Sequence, residues 1–145
     1  MNPRLEGQMR RAGWVPGRHV ATADAKNALS AAGYEPFEAL TDLLAEFSPL
    51  TFRSDDSQRS VWIDGLRSAT DADPDWAQEY GRLAGSLLAP IGRYSHMTIY
   101  VAQDGTLYGG FDREFGRLGA DVKEALNGLL NQDPLPRLDL RAGGD

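Results

Sequence analysis

The chain has 145 residues, 41% of them hydrophobic, and carries 21 acidic against 15 basic side chains for a formal net charge of -6. That length supports a single core without staples, and the absence of cysteine excludes disulfides, thiolate zinc sites and a thiol nucleophile. No run approaches the roughly 18 apolar residues of a membrane span. The opening Met1-Asn2-Pro3-Arg4-Leu5-Glu6 has no apolar stretch of signal-peptide type, so a cytoplasmic protein with no membrane partner is expected.

The charge is unevenly spread. Residues 1–20 carry Arg4, Arg10, Arg11 and Arg18 against Glu6, whereas residues 21–80 hold twelve acids and four bases. The middle of the chain therefore repels phosphate backbones and suits a basic protein partner. The four N-terminal arginines around Trp14 are too weak a footprint, in an acidic chain, to indicate nucleic acid.

Taken in order, residues 3–12 place Leu5, Met9 and Ala12 on one helical face, with Gly13 as its C-terminal stop. A turn-rich segment, Gly13-Trp14-Val15-Pro16-Gly17-Arg18, follows; Trp14 is expected in the core and Arg18 against a carboxylate. Residues 23–32 are alanine-rich and predict a helix facing inward through Ala25, Ala28, Leu29 and Ala32, ended by Gly33. Pro36 suits the first position of the next helix, where its missing N–H costs nothing. Phe37, Leu40, Leu43, Leu44 and Phe47 give that helix a continuous apolar stripe until Ser48-Pro49 stops it.

Residues 50–53 and 60–63 predict short strands joined by a polar hairpin loop. Asp73-Pro74-Asp75 opens a helix, with an N-cap aspartate, proline at the first position and a carboxylate at the positive dipole end. Trp76, Tyr80, Leu83 and Leu87 form its stripe, and Pro90 is expected to close it. Residues 97–102 alternate, Asp104-Gly105 signals a tight turn, and residues 106–111 return as a second strand. The last helix spans residues 120–130 with Val122, Ala125, Leu126, Leu129 and Leu130 inward. Residues 1–132 thus read as one domain and residues 133–145 as a frayed tail. The order of elements predicts an α+β fold, a mainly antiparallel sheet with helices covering one face.

Several segments resemble a known family. Ala12-Gly13-Trp14-Val15-Pro16-Gly17-Arg18 is similar to the GW-x-PGR opening of the third group of the SUKH superfamily. The helix of residues 39–47 running into Thr51-Phe52, the turn Leu88-Ala89-Pro90-Ile91-Gly92, the hairpin around Asp104-Gly105, and the closing Ala125-Leu126-Asn127-Gly128-Leu129-Leu130 resemble its later motifs in the same order. Ser48-Pro49 departs from the paired glycines common at that point of the family. The resemblance covers about residues 11–131. It implies an α+β immunity protein of a bacterial polymorphic toxin system, which binds and neutralises a cognate toxin, often a nuclease; no cofactor is implied. Gly13, Trp14, Pro16, Gly17 and Arg18 are then structural motif residues.

Chemistry-bearing patterns are sparse. His19 and His96 have no metal-ligand spacing, and Gly116 to Gly119 lacks the preceding strand and lysine of a phosphate loop. Asp71, Asp73 and Asp75 alternate as in a calcium loop, but the sixth and twelfth positions, which require Gly and Glu, hold Trp76 and Arg82. No catalytic, metal or cofactor residue is assigned. The partner-binding candidates are Asp55, Asp56, Asp64, Asp71, Asp73 and Asp75, with Trp62 as aromatic anchor and Trp76, Tyr94 and Tyr108 as further aromatics. The oligomeric state is left open. A regulatory or scaffolding adaptor without a toxin, and a hydrolase using paired carboxylates, are the alternatives.

Overall fold

The computed structural model describes residues 2–142. Among them the chain forms six helices, α1 (Pro3–Arg11), α2 (Ala23–Ala31), α3 (Glu38–Phe47), α4 (Gly65–Asp71), α5 (Pro74–Ala84) and α6 (Val122–Asn131). Seven strands, β1 (Leu50–Arg53), β2 (Ser60–Ile63), β3 (Leu88–Tyr94), β4 (Met97–Ala102), β5 (Leu107–Phe111), β6 (Glu114–Gly119) and β7 (Leu140–Arg141), make one sheet. Its strands lie side by side in chain order and each neighbouring pair is antiparallel. The expected α+β class with a mainly antiparallel sheet is therefore what the chain adopts.

The ladder register sorts side chains onto two faces. Phe52 opposes Val61, Ile99 opposes Gly109 and Val101 opposes Leu107, which sets these residues on one face. The α3 and α6 helices cover that face: the Phe47 ring meets Phe52 edge-on at 6.4 Å, and a Cβ at Gly119 would lie 2.7 Å from the Ala125 backbone. The register puts Tyr100, Tyr108 and Phe115 on the other face. The expected helix cover on one face is thus present, and α5 covers much of the second face as well. The reason is this aromatic row. Tyr80 of α5 stacks on Phe115 at 4.8 Å and packs edge-on against Tyr100 at 5.5 Å. Gly110 makes room for it, since a Cβ there would sit 2.4 Å from the Tyr80 ring. Burial pushes the Tyr80 phenol up to about 12, with the nearby Asp112 adding to the effect.

Other expectations need correction. Pro36 does not begin α3, whose N-cap is Phe37 in an extended conformation. Pro90 does not close α5; Gly85, left-handed at φ 69°, does. That releases Leu87 from the helix, and Leu83 and Leu87 are exposed rather than part of a buried stripe. Pro90 instead sits inside β3, where the register with β4 shifts between Pro90 and Gly92. A bulge is where a central strand tolerates a residue with no N–H to donate. Strands β3 and β6 and helix α4 were not foreseen. Residues 133–142, part of the expected tail, run back along the domain. Leu135 and Leu138 pack against the core, β7 pairs with β6, and the Ala142 amide donates to the Arg113 carbonyl at 2.7 Å. Residues 143–145, part of the expected tail, lie outside the described residues.

Candidate functional site

The motif from Gly13 to Arg18 is a brace between α1 and α3. Gly13 turns the chain at φ 109°, and Gly17 at φ 79°, both conformations that glycine adopts without strain. Pro16 lies between them. Trp14 is buried, and its indole N–H donates to Glu46 Oε2 at 2.9 Å. Arg18 does not pair with a carboxylate. Its guanidinium donates to the backbone carbonyls of Glu46 at 2.8 Å and Ser48 at 3.1 Å. Those carbonyls belong to the end of α3, where acceptors lack intrahelical donors, and a cation there also suits the helix dipole.

The seven partner-binding candidates do not form one patch. Asp55 and Asp56 lie in the loop at one end of the β1–β2 hairpin, and the other four aspartates follow its opposite end. Asp55 is taken up internally: it accepts from Arg4 Nε and Arg11 Nη2, both at 2.9 Å, and from Gln8 Nε2 at 3.1 Å. Asp56 accepts from the Gln58 amide at 3.0 Å and from Ser54 Oγ at 2.7 Å, which shapes the loop. Both carboxyls are held below their ordinary range, Asp55 chiefly by the Arg4 hydrogen bond and Asp56 by that of the Gln58 amide.

Asp64 caps α4 by accepting from the Arg67 amide, and Asp73 caps α5 by accepting from the Asp75 amide. Asp71 is ion-paired to Arg93 at 2.7 Å. Trp62 is half-buried beneath the Arg67 guanidinium, 4.0 Å from its ring. Of the other aromatics, Trp76 stacks on Tyr80 at 5.5 Å, Tyr108 stacks on Phe115 at 5.1 Å, and Tyr94 packs against the core. His19 and His96 are exposed, the latter beside Phe111.

Asp75 alone among the seven keeps an exposed carboxylate with no ion pair or hydrogen bond among the described residues. It lines a cleft of about 620 Å³ between α5 and the turn that joins α2 to α3. Glu35 lies on the same cleft, also unpaired among the described residues; Gln78 and the exposed Leu87 border it, and the cation in its lining, Arg82, is ion-paired to Glu79. Tyr34 forms part of the wall. Its hydroxyl is buried with no hydrogen-bond partner among the described residues, and burial, helped by the Asp73 charge, pushes it up to about 12. Glu35 was missed because nothing local distinguishes it: the residues that make it a neighbour of Asp75 are forty positions away in the sequence.

This cleft suits recognition of a cationic, partly apolar surface. Among the described residues no group of three or more His, Asp or Glu side chains could hold a metal ion, and no helix is long and apolar enough to cross a membrane. The carboxyls whose titration is shifted, Asp55, Asp56 and Asp104, are all held ionised at the surface, the opposite of a general acid. A family model described as SUKH-3 immunity protein matches residues 1–132. The chain belongs to this family. No curated protein and no solved structure matches it. The SUKH-3 match spans α1 through α6 and the first six strands, so β7 of this SUKH-3 chain lies beyond the matched residues. It also takes in the whole brace from Gly13 to Arg18 and both walls of the acidic cleft.

Proposed function

We propose that this chain neutralises a cognate bacterial toxin in the cytoplasm by forming a stoichiometric protein–protein complex, without turnover. The SUKH-3 match over residues 1–132 carries the reading. The cleft with Glu35 and Asp75 is its docking site: two carboxylates left unpaired within the chain, beside an exposed Leu87, complement a basic partner surface. A toxin that cleaves nucleic acid presents such a surface, because it must attract phosphate, and this favours a nuclease as the partner. Charge accelerates the encounter while a few desolvated contacts around Leu87 set the lifetime.

The test is co-expression with a candidate toxin domain taken from the neighbouring gene. Rescue of growth, with a one-to-one complex by calorimetry, is the expected result. The Glu35→Lys/Asp75→Lys double variant should lose rescue while remaining folded by circular dichroism. Absence of any complex with that toxin, or full rescue by the double variant, overturns the assignment of the partner or of the cleft respectively.

A further inference from the structure

The arginine-bearing end of the sheet has the opposite character. Strand β1 is the edge of the sheet, paired only with β2. The Ser54 amide donates across the ladder to the Arg59 carbonyl at 2.9 Å. By the alternation of an antiparallel pair, Phe52 and Leu50 also turn their backbone groups toward β2, so those of Thr51 and Arg53 point away from the sheet. A groove of about 630 Å³ runs along this edge between Thr51, Arg53 and Ser57 on one side and Gln8 and Arg11 of α1 and its C-cap Ala12 on the other. An unpaired strand edge facing an open groove is the geometry in which one protein adds an extended segment of another to its sheet.

The side chains around that edge choose the segment. Arg53 is exposed and makes no ion pair among the described residues. Thr51 opposes Trp62 and Trp62 opposes Arg93, so Arg53 is a diagonal neighbour of Trp62 on the sheet face that carries Arg93. Arg67 lies flat on the Trp62 ring, and Arg93 is paired to Asp71. At the groove's far end Arg4 and Arg11 share the single carboxylate of Asp55. The basic side chains thus outnumber the acidic ones here, within a chain whose net charge is -6. The same positive edge discourages a second copy of this strand from pairing, since that would bring Arg53 side chains together.

We propose that the free edge of β1, flanked by Arg53, Trp62 and Arg67, accepts an extended acidic segment of a partner protein as an added strand. Acidic side chains of that segment lie beside Arg53 on the Trp62 face, and the alternate, small apolar ones turn toward Ala12, the C-cap of α1. This surface is separate from the acidic cleft, and it stands whether or not a toxin occupies that cleft.

The probe is the peptide Glu-Val-Glu-Val-Glu-Val-Glu, titrated into the isotope-labelled full chain and followed by amide resonances. Shifts confined to residues 8–12, 51–57 and the flanking Trp62 and Arg67, with slowed hydrogen exchange of the Thr51 and Arg53 amides, are expected. Arg53→Glu should weaken binding about tenfold at low salt. Thr51→Pro removes an outward amide without touching the inward ladder and should weaken it similarly. If Thr51→Pro fails to fold, the same peptide N-methylated at alternate backbone nitrogens takes its place and should not bind. The proposal is overturned by shifts centred elsewhere or by none, and by equal binding of the lysine counterpart. Equal binding of the N-methylated peptide would mean that charge alone is recognised, and tighter binding of a single-stranded oligonucleotide would mean a phosphate site; either also overturns it.

Discussion

Residues 55–56 and residues 71–75 are alike as sequence, short aspartate-rich stretches in an acidic chain, but they become opposite surfaces. The first meets Arg4 and Arg11, residues 51 and 44 positions away, and its end of the molecule turns basic. The second leaves Asp75 unpaired beside Glu35 and stays acidic. Charge counted along a chain therefore describes a surface only after the fold has chosen which counter-charges arrive. A local acid cluster is a docking site only where the distant basic residues go elsewhere.

The largest effect expected separates the two regions through α5. Tyr80 holds this helix to the sheet, and Tyr80→Ala removes a fully buried ring stacked on Phe115. Truncating such an aromatic costs roughly 3–5 kcal/mol. Urea unfolding gives the loss, and hydrogen exchange should show α5 opening well before β1. If β1 and α5 lose protection together, the two regions are one cooperative unit and the contrast in stability fails. Next comes Gly92→Ala at the junction of β2 and β3, where a Cβ would sit 2.1 Å from the Trp62 carbonyl oxygen. A cost of about 1–3 kcal/mol is expected from forced overpacking, with altered Trp62 fluorescence and an intact cleft.

The parts legible in sequence were those whose determinants are local. The caps at Asp73 and the Asp104-Gly105 turn, and the apolar stripes of α3 and α6, follow from spacing alone, and the structure has them. The brace residues Gly13, Trp14 and Arg18 were legible as motif, but the partners of Arg18 were not: its acceptors are orphan carbonyls of a helix end, which no sequence pattern displays. Strand β3 was hidden by Pro90 and Gly92, which read as a turn until a bulge accommodates them. Strand β6 was hidden by Gly116 and Gly119, whose absent side chains leave room for the returning tail and for α6. The acidic cleft escaped because Glu35 and Asp75 meet only in the fold.

Charge reversal sharpens the comparison at smaller amplitude. Asp75→Lys should slow association with a basic toxin about tenfold at low salt through lost steering. Asp55→Lys should leave that rate nearly unchanged at physiological ionic strength, where exposed charges are screened beyond about 8 Å. Stopped-flow measurement of both variants decides; equal slowing would mean that total charge, not the cleft, guides the encounter. Smaller again is Arg67→Ala, which removes the guanidinium from the Trp62 ring and should cost about 0.5–1 kcal/mol. It should also raise quenching of Trp62 by acrylamide.

The smallest effect tests whether Asp55 is truly consumed by its own chain. Its carboxyl is held below the ordinary range by Arg4 foremost, then by Gln8, with Arg11 adding its charge. A carboxyl whose folded pKa is lowered contributes stability that is fully present above its unfolded value and is lost as pH falls through the folded one. Asp55→Asn abolishes that contribution, so the variant should melt slightly below the parent at neutral pH. The gap should close on acidification below the ordinary carboxylate range, where the parent's Asp55 takes up its proton. Melting temperatures of the two proteins across that range give the answer. A gap that persists at the acid end would mean that the asparagine disturbs the loop for a reason other than charge. No gap at neutral pH would mean that Arg4 and Arg11 leave this carboxylate available to a partner after all, and the two acidic stretches would then be alike.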